Sequence, residues 1–367
     1  MSEFTFFKNK HIFLTGHTGF KGAWLCRILT NMGAVLTGYA LEPSTSPSLF
    51  DISRAALGME SIIGDVRDFE KLQAAFDGAS PEIVIHMAAQ PLVGESYKSP
   101  VYTYETNFMG TVNLLECIRL CKTVGSAVIV TTDKVYRNKE WEWGYREDDA
   151  LGGFDPYSSS KSCAELAVQA YKNSFFGDGC PVSTARAGNV IGGGDFTEGR
   201  IIPDCIKAAA NGNSIQIRNP ASVRPYQHVI EPLFAYLMIA QKQYGDARYA
   251  GSYNIGPDDV DCVTTGELAD MFCKEYDEGA TWEHHSESVF HETSTLRLDS
   301  ARLKKTFGWH PRWNVREAVA RTVEWTKAYN EKQDVLGLMD RQINEYCLEV
   351  EKNNANKMSP GKESHND

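Results

Sequence analysis

The 367-residue sequence has no long apolar run; no stretch approaches the ~20 residues that a membrane-spanning helix needs. It has no Cys-x-x-Cys pair, and its nine cysteines are scattered. Cys117 and Cys121 stand four apart, the wrong spacing for that motif, and His284-His285 is a lone pair outside any Cys/His array. These absences argue against a metal site. An odd, ungrouped set of cysteines suits buried thiols better than disulfides. Positive charge is also short: 37 Lys and Arg against 48 Asp and Glu leave a net charge of −11. That disfavours a general nucleic-acid surface. It leaves room for an anionic small molecule, which needs only a few local arginines. The opening Met1-Ser2-Glu3-Phe4 lacks the basic-then-apolar pattern of a signal peptide, so a cytoplasmic location is expected. No internal repeat is visible.

What is present is 42% hydrophobic residues, enough for a large core and one or two domains. The first apolar run, His11 to Thr15, leads straight into Gly16-His17-Thr18-Gly19-Phe20-Lys21-Gly22. This is G-x-x-G-x-x-G between a predicted strand and a predicted helix. The glycines allow a tight turn, close approach to a pyrophosphate and close helix–strand packing, and the helix N-terminus faces the phosphates. Gly16, His17, Thr18, Gly19, Phe20 and Gly22 are therefore candidate dinucleotide contacts. Val35 to Leu41 reads as the second strand, and Glu42 follows it about 20 residues past the loop, where an acid holds ribose hydroxyls. No Arg or Lys follows closely to meet a 2′-phosphate, so NAD is preferred to NADP. Asp65 and Val66 end a third strand as candidates for the adenine, with Asp68 suited to cap the next helix. Ile83 to His86 is a fourth strand, and the small Ala88 and Ala89 with Gln90 let a cofactor pass over its end. Asn107 is expected to serve a structural role within its own helix. Repeated strand–helix alternation up to Lys161 predicts a parallel sheet with right-handed crossovers.

Chemistry concentrates in Thr131-Thr132-Asp133-Lys134-Val135-Tyr136 and Tyr157-Ser158-Ser159-Ser160-Lys161. A strand, Ala127 to Val130, delivers Thr132, Asp133 and Lys134 at its C-terminal end, where open α/β sheets bind ligands. Tyr157 and Lys161 share a helix face at i,i+4. Such pairs also arise by chance on amphipathic helices; the glycine fingerprint and the Thr-Thr-Asp-Lys strand end are what mark this one. A phenol titrates near ~10, and a neighbouring ammonium is expected to lower it. A phenol tuned that way takes a proton from an alcohol. Beyond Arg186-Ala187-Gly188-Asn189 the alternation weakens. Arg200, Arg218 and Arg224 stand in loop-like stretches, and arginines on loops suit a diphosphate. A final helix is predicted from about Val315 to Tyr329, and a polar, disordered tail over 351–367.

The glycine loop, the Thr-Asp-Lys strand end and Tyr-x-x-x-Lys together resemble the extended short-chain dehydrogenase/reductases. Within them, Arg186 to Asp195 (RAGNVIGGGD), Arg218 to Pro232 (RNPASVRPYQHVIEP) and Leu298 to Trp313 (LDSARLKKTFGWHPRW) resemble the 4,6-dehydratases of cytidine-linked glucose. The resemblance runs from about residue 8 to about residue 330. Thymidine-linked dehydratases typically carry glutamate where Lys134 stands. The tryptophan often found at the place of Tyr226 is missing. The resemblance implies an α/β fold: an N-terminal Rossmann-type doubly wound parallel sheet (1–190) and a smaller mixed C-terminal substrate-binding lobe (191–350). It implies NAD as cofactor and CDP-glucose or a related nucleotide sugar as substrate. Tyr157, with Lys161 and Thr132, would take the C4 hydroxyl proton, Lys134 the C5 proton, and Asp133 would protonate the departing C6 hydroxyl. The division of labour between Asp133 and Lys134 stays open at this point. Asn189, Arg200, Arg218, Arg224 and His228 would bind the nucleotide. A homodimer or dimer of dimers is implied, through a four-helix packing of the helices carrying Asn107 and Tyr157. The alternatives are another nucleotide-sugar dehydratase, a 4-epimerase, which has no use for an acid–base pair beside Thr132, and a catalytically inert dinucleotide sensor.

Overall fold

Strands form here where apolar runs are covered on both faces, which removes the polar alternation of a half-exposed sheet. The computed structural model describes residues 2–177, 179–277, 279–285 and 293–358. Seven strands make the main sheet: β1 (His11–Thr15), β2 (Val35–Ala40), β3 (Glu60–Ile63), β4 (Ile83–His86), β5 (Ser126–Val130), β6 (Val182–Ala187) and β7 (Ser252–Ile255). Their order is β7-β6-β5-β4-β1-β2-β3, and every pairing is parallel. β5 and β6 are buried along their whole length. The strand order reverses between β1 and β4, and such a switch point opens a crevice at the carboxyl ends. The last strand, β7, comes from well beyond residue 190, so the sheet recruits chain from the later half.

Successive side chains point to opposite faces, and the core divides accordingly. Ile12, Leu14, Ile83, Ile85, Val128 and Val130 pack with α1 (Phe20–Asn31) and with the helix Ile230–Gly245. Phe13, Val84, Ala127 and Ile129 pack on the other face with α2 (Phe69–Ala79), α3 (Gly110–Leu120) and α4 (Pro156–Tyr171). A third cluster, including Ile202, Ile217, Leu268, Phe272 and Val319, centres the smaller lobe. Its strands are short and mixed in direction: Val223–Arg224 pairs antiparallel with Val263–Thr264, and Ile215–Ile217 pairs parallel with Trp282–His284.

Two helix starts matter for the site. Asp68 accepts the Lys71 amide at 3.1 Å and caps α2, as its sequence position suggested. Asp155 accepts the Ser158 amide at 2.9 Å, and Pro156 pre-sets the first turn of α4, so the register of Tyr157 and Lys161 is fixed from that end. The helix expected near Val315 runs Val315–Asn330. Another, Val335–Met358, follows it and extends past residue 351, where the sequence suggested a disordered tail. Residues 359–367 lie outside the described residues.

Candidate active site

The end of β5 places Thr132 as the cap of a single 3-10 turn, Asp133–Val135. The Thr132 hydroxyl donates to Asp133 Oδ1 at 2.9 Å. Lys134 Nζ reaches the same oxygen at 3.2 Å and Asn189 Oδ1 at 3.5 Å. Asp133 is about 1% exposed, and its Oδ2 has no hydrogen-bond partner. On α4, Tyr157 and Lys161 are buried beside this turn, and Lys161 Nζ donates to the Val130 carbonyl at 3.2 Å. Arg200 approaches from the second lobe, held by Asp195 at 2.9 Å. One cluster thus gathers Thr132, Asp133, Lys134, Tyr157, Lys161, Asn189 and Arg200.

The electrostatics correct one expectation. Lys161 was expected to pull the Tyr157 phenol down, but burial dominates and pushes it up to about 12. The Thr132 hydroxyl and the Arg200 charge oppose this; Asp133 reinforces it. Burial lowers Lys161 to about 8, partly offset by Glu165. Removing both groups from water disfavours both charged forms. Lys21, inside the glycine fingerprint, was not singled out from the sequence. It is half-buried, reaches the Tyr236 hydroxyl at 3.3 Å, and is lowered to about 7 by desolvation and by repulsion from Arg200 and Lys161.

The cofactor candidates line the other half of the crevice. Gly16 has φ +77°, and a Cβ there would lie 2.7 Å from the Ala88 amide nitrogen. Gly22 admits no side chain either: a Cβ would meet the Gly16 carbonyl oxygen at 2.1 Å. The N-terminus of α1 at Gly19 carries no side-chain cap, so its first amides remain available to an anion. Thr18 donates to the Leu41 carbonyl at 2.8 Å, tying the loop to the exposed Glu42 segment. His17 is buried, meets Ser61 at 2.7 Å, and packs edge-on to Phe50. Burial opposes ionisation of Asp65, but hydrogen bonds from the Arg67 guanidinium and amide prevail and hold it below the usual carboxylate range. Val66 is buried against Gly110.

Beneath Ala88 and Ala89, the Thr15 hydroxyl oxygen accepts the Met87 and Ala88 amides at 3.2 and 3.1 Å. Its proton therefore goes to His86 Nδ1, 2.6 Å away, leaving His86 Nε2–H for Thr111 at 3.1 Å. Asn107 sits in a π-helical turn, Glu105–Met109, ahead of α3. The sequence suggested bonding within its own helix. Its side chain instead brackets the Gln90 backbone at 2.8 and 3.0 Å and donates to Ser160 on α4 at 3.0 Å. It thereby ties the segment after β4 to the Tyr157 helix.

This architecture can be set beside known proteins. A model of the family described as GDP-mannose 4,6 dehydratase matches residues 13–322. The chain belongs to that family. It is 46% identical over 353 residues to a CDP-glucose 4,6-dehydratase of Salmonella typhimurium, covering 94% of this chain and 98% of that relative. The dTDP-glucose 4,6-dehydratase 1 of Escherichia coli is 25% identical over 342 residues, covering 86% of this chain and 92% of that one. Among solved structures, the dTDP-glucose 4,6-dehydratase of Bacillus anthracis in complex with NAD superposes with a TM-score of 0.74 at 22% identity, over 89% of this chain and 99% of that one. The Thermotoga maritima UDP-glucose 4-epimerase with UDP-glucose gives 0.76 at 21% identity, over 87% of this chain and 99% of that one.

Within this dehydratase-family frame, other substrate candidates lie elsewhere or are otherwise engaged. Arg224 is buried and spends its guanidinium on the carbonyls of Val223, Thr293 and Ser294, at 2.9, 2.5 and 3.4 Å. Arg218 follows the strand Ile215–Ile217, where its charge acts on Asp204. His228 is not brought to the cluster. Its ring lies between Trp24 and Trp313, at 5.9 and 4.9 Å, and burial lowers it to about 3, so it carries no charge for a diphosphate. Sequence reasoning also missed Glu165, one turn beyond Lys161. Its carboxylate pairs with Arg186 at 2.7 Å and accepts the hydroxyls of Thr131 at 2.5 Å and Thr184 at 2.8 Å. The i,i+4 spacing from Lys161 was a usable signal; the partnership with Arg186 was not.

Proposed function

We propose that the chain is a CDP-glucose 4,6-dehydratase, converting CDP-glucose to CDP-4-dehydro-6-deoxyglucose and water with NAD as a recycled cofactor. One observation carries this: 46% identity to a CDP-glucose 4,6-dehydratase across nearly the whole chain, joined to an acid–base pair, Asp133–Lys134, beside Thr132 and Tyr157. An epimerase needs oxidation at C4 alone and leaves such a pair without work.

The residues fit NAD. The glycine turn is closed to any side chain at Gly16 and Gly22, and the α1 amides are uncapped where a pyrophosphate would rest. Gly16, His17, Thr18, Gly19, Phe20 and Gly22 would hold the phosphates. Glu42 would hold the ribose hydroxyls, Asp65 and Val66 the adenine, and Ala88, Ala89, Gln90, Tyr157 and Lys161 the nicotinamide half. When bound, NAD supplies the two-electron acceptor at C4 and the donor at C6. Tyr157 takes the C4 hydroxyl proton; the Lys161 and Arg200 charges favour its phenolate. The C4 ketone acidifies C5–H, because the carbanion becomes an enolate. Lys134 takes that proton, and Asp133 Oδ2, which has no protein partner, protonates the C6 hydroxyl as it departs. Asn189, Arg200, Arg218 and Arg224 are the candidates for the nucleotide.

Val101, Met109, Leu166 and Phe175 are exposed on the segments that carry Asn107 and Tyr157 and on their extensions. They support a homodimer through these helices. Free thiols throughout the described chain support a reducing, cytoplasmic location, and among the described residues no helix is long and apolar enough to cross a membrane. The test is mass spectrometry after incubation with cytidine-, uridine-, guanosine- and thymidine-linked hexoses and catalytic NAD. Loss of one water from CDP-glucose is expected. Water loss only from another nucleotide would overturn the substrate, and an unchanged mass with inversion at C4 would make the protein an epimerase.

A further inference from the structure

The segment 189–200 joins the two halves of the crevice. It starts at the catalytic cluster, where Asn189 Oδ1 accepts a hydrogen bond from Lys134 Nζ at 3.5 Å. Val190–Ile191 then pairs in parallel with Gln227–His228. The glycines that follow let the backbone lie directly against other elements. A Cβ at Gly192 would sit 3.2 Å from the ring of Phe20, in the glycine fingerprint, and one at Gly193 would collide with the Trp325 side chain. The Gly193 carbonyl also accepts the Trp24 Nε1–H of α1 at 3.0 Å. The chain is thus clamped on the first turns of the helix whose amides are open to the cofactor phosphates.

Asp195 stands just beyond this clamp, with its side chain about 4% exposed. Its Oδ1 accepts the Thr197 amide at 3.1 Å, and its Oδ2 accepts Arg200 Nη1–H at 2.9 Å. Arg200 caps the start of the helix Ile201–Ala210, and its side chain is about 29% exposed. A long cation there has reason to leave. Its charge repels Lys21, which Lys161 repels as well, and like charges gathered in one crevice push a flexible side chain toward water. Asp195 supplies the opposing charge from a rigid support. It takes one of the five N–H groups that a guanidinium presents in a fixed fork, so a pair of the others suits a phosphate.

We propose that Asp195 is a positioning residue for the substrate diphosphate. It holds the Arg200 guanidinium in the crevice before the nucleotide sugar arrives, so less side-chain freedom is lost on binding. Asp195 is itself an anion and acts only through Arg200. The proposal rests on the reading of Arg200 as a nucleotide ligand given above.

Calorimetric titration of the NAD-loaded enzyme with CDP tests it. Asp195→Ala should weaken CDP binding by roughly tenfold to a hundredfold, the range of one hydrogen bond to a charged group, and leave NAD affinity unchanged. In an Arg200→Ala background, Asp195→Ala should weaken CDP no further. Asp195→Asn keeps the side-chain shape and loses the charge; it should give an intermediate loss, and it stands in if Asp195→Ala does not fold. Equal losses from Asp195→Ala in both backgrounds would show a merely structural role. Tighter CDP binding in Asp195→Ala would show that the carboxylate blocks Arg200. Either result, or wild-type affinity in Asp195→Asn, would overturn the positioning role and leave the ligand reading intact. Arg200→Ala that binds CDP as wild type does would overturn the ligand reading and the positioning role together.

Discussion

Replacing Arg186 with Met should be among the most destabilising single substitutions in this chain. Arg186 and Glu165 are about 4% and 2% exposed at their side chains. Arg186 makes two bonds to Glu165, at 2.9 and 2.7 Å, one to the Tyr136 hydroxyl at 2.9 Å and one to the Glu147 carbonyl at 2.8 Å. Arg186→Met leaves the buried Glu165 carboxylate without its ion-pair partner, with only the more remote charges of Lys161 and Lys172 nearby, and breaking such a pair costs about 3–5 kcal/mol. The Tyr136 phenol keeps its bond to Asn254 at 2.6 Å, so the loss there is small. The double variant Glu165→Met/Arg186→Met removes both charges, and apolar replacement of a whole pair ranges from neutral to stabilising. Here Thr131 loses its acceptor, which adds back about 1–3 kcal/mol, while Thr184 keeps Ser252 at 2.9 Å. The double variant should therefore be no less stable than Arg186→Met alone, which gives strong coupling in a double-mutant cycle. Urea unfolding of the NAD-free protein measures both. An Arg186→Met cost under about 1 kcal/mol would refute the inference that this buried pair holds β5, β6 and α4 together.

Three further outcomes follow from the same geometry. Lys134→Ala should still oxidise C4 but slow elimination by about 10²–10⁴-fold, so a 4-keto hexose and NADH accumulate; normal formation of 6-deoxy product would remove Lys134 from that role. Burial raises Glu231 from 4.5 to about 7 despite hydrogen bonds from the Trp313 and Arg312 amides and the Tyr346 hydroxyl. The folded state therefore binds a proton that the unfolded state releases, so this group's stability contribution is full below pH 4.5 and lost as pH rises through about 7. Unfolding free energies at pH 5 and pH 7.5 should differ by roughly 2 kcal/mol more in wild type than in Glu231→Gln; equal differences would contradict the burial argument. Gly22→Ala would put a Cβ 2.1 Å from the Gly16 oxygen, so it should destabilise by at least about 1–3 kcal/mol and weaken NAD binding in calorimetry. Unchanged NAD affinity would argue against the glycine loop as the phosphate site.

Local chemistry was legible in the sequence where neighbours along the chain decide it. The glycine fingerprint, the Asp68 cap, the buried β5 run and the i,i+4 pair of Tyr157 and Lys161 all depend on residues a few positions apart. Tertiary effects were not legible. The Tyr157 phenol moves opposite to expectation because burial, not its lysine neighbour, sets the sign. The sequence suggested that His228 contacts a diphosphate, yet two tryptophans from distant segments enclose it. Asn107 bonds to Gln90 and Ser160, neither within its own turn. The helix Val335–Met358 escaped notice among polar residues, although Leu338, Met339, Ile343, Tyr346, Cys347 and Val350 recur at helical spacing and are buried.

The most direct test of the dehydratase cycle uses CDP-glucose carrying deuterium at C4, with catalytic NAD in ordinary water. If Tyr157, Lys134 and Asp133 act as assigned, the product loses one water and retains the deuterium, now at C6, with no net NADH. A product that has lost the label, or one of unchanged mass, would contradict the cycle.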